Sequence, residues 1–105
     1  MKKILSLVLV SVLLLSLTGA AFAREKDWEI VVVPKDASNP WFVRMKVGVD
    51  EYAAETGMNV YQKGTPEIDA TLQAQLVQDL IAQGVDASCV VPVNPESLEP
   101  VLKQA

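Results

Sequence analysis

A lysine, an aspartate, an asparagine and two aromatic residues crowd into one short segment, Lys35-Asp36-Ala37-Ser38-Asn39-Pro40-Trp41-Phe42. An amide both donates and accepts hydrogen bonds, and an ammonium donates as a charged group, whose bonds contribute about 1.5–3 kcal/mol each. A neutral polyol offers hydroxyls in its ring plane and C–H groups on its faces. Polar side chains meet the first and a flat aromatic surface meets the second. Lys35, Asn39, Trp41 and Phe42 are therefore the candidate ligand-binding residues.

Other chemistries fit poorly. The chain has no histidine, so no nucleophile with an imidazole base can be assembled within it. Neither G-x-G-x-x-G nor G-x-x-x-x-G-K follows the first apolar run, so a nucleotide phosphate has no glycine cradle. One cysteine without histidine is a poor zinc set. Asp27, Glu29 and Asp36 are close in sequence, but Glu29 falls within a strand pattern and no paired-carboxylate site is evident. We expect no catalytic residue, no metal and no cofactor.

The elements that hold this segment are legible on either side of it. Trp28 to Val33 is a continuous apolar run, the pattern of a strand covered on both faces. Asn39 suits a helix N-cap, and Pro40 suits the first helical position. The helix continues through Phe42, Met45, Val49 and Ala53, and Thr56-Gly57 ends it. A second strand covers Met58 to Tyr61. A second helix starts near Asp69, turns Leu72, Leu76 and Leu80 inward with Val77 and Ile81 beside them, and ends at Gly84. Ala87 to Val91 is a third strand. Asn94-Pro95 repeats the helix start, and the third helix is expected to be still running at Ala105.

The order β-α-β-α-β-α with non-alternating strands implies an α/β fold, a three-layer parallel sheet with helices on both faces. Strand order does not follow from sequence. In the common doubly wound arrangement strand 1 lies between strands 2 and 3, and ligands bind outside the carboxyl ends where the winding reverses. The flanking loops there are Pro34 to Trp41 and Pro92 to Asn94.

Residues 1–23 read as a cleavable signal peptide. Lys2 and Lys3 precede an apolar run from Ile4 to Leu17, and Ala21-Phe22-Ala23 supplies the cleavage site. The run is shorter than the roughly 20 residues needed to span a bilayer. No cysteine near the cleavage site offers a lipid anchor, which points to a periplasm. Removing the leader leaves seven basic against thirteen acidic residues, a net charge of −6. A chain this acidic lacks the footprint for nucleic acid or anionic lipid. Cys89 cannot form an intrachain disulfide and, in an apolar strand, is expected to be a buried inert thiol.

Each candidate has a plainer role to weigh. Asn39 serves as a cap alone or as a cap that also touches ligand. Phe42 shares helical spacing with Met45 and Val49, so it is a core residue as readily as a ligand contact. Trp41 is off that face and favours binding. Lys35 is otherwise an exposed loop lysine, Asp36 is expected to be solvated, and Asn94 to be a cap.

The stretch VVVPKDASNPWFVRMKVGVDEYAAETGMNV, with QAQLVQDLIAQGVDASCVVPVNPESLEPVLKQA after it, resembles the amino-terminal lobe of periplasmic sugar-binding proteins. These are the type I solute receptors of bacterial ABC importers. The resemblance covers essentially all of residues 24–105. In the ribose-type members the asparagine and both aromatics of the motif contact the sugar, which implies that role for Asn39, Trp41 and Phe42. The VPK ending of strand 1 is more similar to the rhamnose- and autoinducer-2-binding branch, where the lysine approaches the ligand. That implies the same for Lys35.

Residues 24–105 are then expected to be a partial, truncated amino-terminal lobe. The implied parent is a non-enzymatic capturer of a sugar or sugar-like polyol, monomeric at full length, that delivers it to an ABC permease. The alternative is a periplasmic sensor reporting the ligand to a chemoreceptor or sensor kinase. A periplasmic enzyme on a similar sheet would need catalytic residues beyond this chain. A repressor of related fold conflicts with the export signal.

Overall fold

The computed structural model describes residues 27–105. The expected signal peptide lies outside the described residues. Six elements alternate as β1 (Glu29–Val33), α1 (Pro40–Thr56), β2 (Asn59–Gln62), α2 (Ala70–Gln83), β3 (Ala87–Val90) and α3 (Pro95–Leu102). The three strands form one parallel sheet in the order β2-β1-β3. The β-α-β-α-β-α reading is therefore correct, and β1 is central.

Local chemistry explains where each helix begins. Asn39, Asp69 and Asn94 all cap from extended backbone, their side-chain oxygens accepting from the amides of Trp41, Leu72 and Ser97. Each bond satisfies one of the donors that a helix start leaves orphaned, typically about 1 kcal/mol per cap. Gly57 and Gly84 end α1 and α2 at φ of 69° and 80°, a region where a side chain would be strained.

Crossovers between parallel strands are right-handed, so the order β2-β1-β3 sends α1 and α2 to opposite faces. Alternation along β1 follows. Val31 and Val33, both with 0% exposure, join Val77 and Leu80 of α2 and Leu98 and Val101 of α3 in one core. Burying each such side chain contributes about 1.5–3 kcal/mol. Ile30 and Val32 turn to the other face and are only half-buried. Phe42 is buried apart from that core.

Three expectations need correction. The inward line of α2 is Gln73, Val77 and Leu80, whereas Leu72 is 39% exposed and Leu76 only half-buried. The helix is rolled from the leucine stripe because Gln73 is drawn inward by backbone groups at the sheet end, described below. Cys89 is exposed rather than buried. It lies on an edge strand in register with Val32, on the face opposite the Val31–Val33 core. Finally, α3 stops at Leu102, and the chain tightens into a turn in which the Gln104 and Ala105 amides reach back three residues to Val101 and Leu102.

Candidate functional site

Three loops leave the carboxyl ends of the strands: 34–39 after β1, 63–69 after β2 and 91–94 after β3. The first is the centre of the arrangement, and both others are fastened to it. The Ala37 amide donates to the Thr65 carbonyl at 2.7 Å. The Thr65 hydroxyl donates to the Glu67 carbonyl at 2.7 Å, and Thr65 is buried. Gly64 lets the second loop press close, since a Cβ there would stand 2.7 Å from Pro34 Cγ and 3.1 Å from Cδ.

The third loop is joined to the first through Gln73. Its Nε2 donates to the Pro34 carbonyl at 3.0 Å and to the Val91 carbonyl at 2.9 Å. Its Oε1 accepts from the Val93 amide at 2.8 Å. Two acceptors on one side and one donor on the other leave a single sensible orientation for the amide. Sequence reasoning passed over Gln73. The available signal was its spacing, because residues 73, 77, 80 and 84 mark one helical face that ends on a capping glycine.

Asp36 is the other internal organiser. Expected to be solvated, it is instead 4% exposed. Its Oδ1 accepts from the Ser38 amide at 3.0 Å, the Ser38 hydroxyl at 2.9 Å and the Asn39 amide at 2.7 Å. The carboxylate thus folds the loop around itself and delivers Asn39 to its cap position. That local use of backbone donors, common for aspartate in turns, is what buries it. Its Oδ2 is buried with no partner among the described residues.

The four candidate residues all fall on this loop and the first turn of α1. Lys35 is half-buried. Asn39 is exposed and its Oδ1 is engaged by the Trp41 amide at 2.9 Å, while Nδ2 meets no acceptor among the described residues. Trp41 is 76% exposed and borders a shallow depression of about 290 Å³ with Arg44 and Met45. Phe42 is different: it is 8% exposed, and its carbonyl accepts from Gln62 Nε2 at 2.9 Å, tying α1 to the end of β2. What remains of it for a ligand is a narrow rim. Asn94 sits across the divide on the third loop, its Oδ1 spent on the Ser97 amide.

A larger hollow of about 550 Å³ lies elsewhere, along the outer side of β3 and α3, lined by Val90, Pro92, Leu98 and Leu102 among others. Its exposed lining is mainly apolar, and of the charged residues that border it, Glu96, Glu99 and Lys103, the last two are engaged with each other at 2.7 Å. We read it as uncovered sheet edge rather than as the site. Among the described residues no cluster of three or more histidine, cysteine, aspartate or glutamate side chains is placed to hold a metal. No helix among them is long and apolar enough to cross a membrane.

Away from the loops, one titration is displaced. The Tyr61 hydroxyl donates to Glu29 Oε1 at 2.8 Å. That bond, then partial burial and the carboxylate's charge, raise the tyrosine above its ordinary 10.0.

Comparison with known proteins fits this geometry. Residues 30–105 match the periplasmic binding protein domain family. The ribose import binding protein of Bacillus subtilis is 30% identical over 82 residues, which cover 78% of this chain and 27% of that protein. A D-ribose/D-allose-binding protein of Pseudomonas aeruginosa is 32% identical over 79 residues, covering 72% of this chain and 25% of the relative. The chain thus spans about a quarter of the length of the curated relatives it matches. Among solved structures, an ABC transporter solute-binding protein from Burkholderia multivorans superposes with a TM-score of 0.71 at 26% identity, over 76% of this chain and 29% of that one. Its unknown ligand is represented as α-D-erythrofuranose. With three parallel strands in the order β2-β1-β3 and a family match from β1 to the last residue, the chain belongs to the periplasmic binding protein domain family.

Proposed function

We propose that these residues supply the sugar-facing edge of one lobe of a solute-binding protein. That protein captures a sugar or sugar-like polyol in the periplasm and passes it, chemically unchanged, to an ABC permease. The observation that carries the reading is the position of Lys35, Asn39 and Trp41. They occupy the loop and first helical turn that leave central β1 where the winding reverses, in a chain similar to ribose and allose binders. Nδ2 of Asn39 and the ammonium of Lys35 supply donors to ring hydroxyls, and the indole of Trp41 covers a C–H face. Phe42 holds the first turn of α1 in place and offers the ligand its rim.

One lobe without its counterpart binds weakly, and millimolar affinity corresponds to about −4 kcal/mol. The test is tryptophan fluorescence of the chain titrated with D-ribose, D-allose and L-rhamnose, with mannitol as a linear control. The proposal expects a saturable change with at least one ring sugar that disappears in Trp41→Ala. A folded chain that responds to no ring sugar, or a Trp41→Ala variant that responds unchanged, would contradict it.

A further inference from the structure

We infer that Gln73 is a positioning residue of this binding edge and, among the described residues, the side chain that sets the separation of the two loops between which a ligand enters. The inference rests on the sugar-capture reading for what enters, but the geometry is independent of it. Loop 34–39 and loop 91–94 follow neighbouring strands, and the sheet's own ladder ends where the Val91 amide bonds the Val33 carbonyl at 2.8 Å. Beyond that bond no backbone hydrogen bond joins the two loops, and the sheet no longer dictates how far apart they stand. Gln73 begins where the ladder stops. It holds Pro34 from the first loop, and Val91 and Val93 from the third, all within 3.0 Å.

The residue is fully buried and polar, on a helix face otherwise made of Val77 and Leu80. A core position filled only for packing would hold an apolar side chain at less cost, because a buried amide must satisfy every hydrogen bond it gives up to water. Here both protons and the oxygen of the amide are engaged, each by a backbone group that no strand or helix supplies with a partner. Removing it strands two carbonyls and one amide at the mouth of the site. Lys35 follows directly on one of those carbonyls, and Asn94 directly on the amide-bearing residue. Gln73 therefore acts on a ligand through the loops, without touching it.

The test uses amide hydrogen exchange and D-ribose titration, both followed by NMR on the chain and on Gln73→Met, an apolar replacement of similar length. The expected result is exchange at Val93 and in residues 35–39 faster by about tenfold, with sheet amides such as Val31 and Val32 changed far less, and ribose affinity lower by about tenfold. Acceleration spread evenly over sheet and loops would mark a merely structural residue and overturn the inference. So would unchanged exchange at Val93, or loosened loops with unchanged ribose affinity. Should Gln73→Met fail to fold, the wild-type chain decides the matter. A scalar coupling across the bond from the Val93 amide to the Gln73 side-chain carbonyl is expected, and its absence overturns the inference. If the wild-type chain ignores ribose while the loops still loosen in the variant, the sugar reading fails and the hold of Gln73 on the crevice stands.

Discussion

The two polar atoms of Asn39 can be separated. Oδ1 caps α1, whereas Nδ2 is the donor we propose for a ligand. Serine caps nearly as well as asparagine but lacks the reach of the amide, so Asn39→Ser should change unfolding free energy by less than about 0.5 kcal/mol while weakening ribose binding. Asn39→Ala should also cost about 1 kcal/mol of stability, read by urea denaturation. Asp36 governs the same loop from inside. Asp36→Ala removes one oxygen that accepts from three donors and should cost about 2–3 kcal/mol, with Asp36→Asn milder because one oxygen can still accept. The cap was legible from Asn-Pro alone, a purely local signal. The burial of Asp36 was not, because a charged residue between Lys35 and Ala37 in a loop reads as solvated until the backbone donors that surround it are in view.

At the level of elements, the site is three loops pinned together. Gly64→Ala tests the first fastening, since the added Cβ would meet the rigid ring of buried Pro34 at 2.7 Å. Neither ring nor backbone can yield cheaply, so destabilisation of about 1–3 kcal/mol is expected in denaturant unfolding. The strands carry a pH signature of their own. Folding raises the pKa of Tyr61 through its bond to Glu29, so the folded state holds that proton more tightly than the unfolded chain does. The resulting stability is fully present below about 10, the unfolded value, and fades as pH rises through the raised folded value. Thermal melts of Tyr61→Phe should therefore fall below wild type at neutral pH and converge with it in strong alkali. A constant gap at every pH would contradict the assignment. Strand and helix order was readable because β-branched runs and helix caps are short-range features. The face of α2 was misphased because a leucine stripe outweighed one glutamine, and only the meeting of two distant loops explains why that glutamine is inside.

The whole molecule is a three-stranded sheet whose β2 and β3 are both edges among the described residues. The exposure of Cys89 belongs to this scale, as an apolar strand announces burial only when the sheet continues past it. A domain of this size buries only about 60% of the surface its unfolded chain exposes. We expect residues 24–105 to unfold in urea with less than about 5 kcal/mol, and a sharp high-temperature melt of the monomer would contradict that.

The most direct measurement of the central claim is a map of D-ribose contacts by amide and indole NMR shifts on the labelled chain. Saturable shifts are expected to gather on residues 34–42 and 91–94, with the Trp41 indole among the largest. Shifts confined to the apolar flank of β3 and α3, or absent from a folded chain at tens of millimolar sugar, roughly the range where binding weaker than −4 kcal/mol saturates, would contradict it.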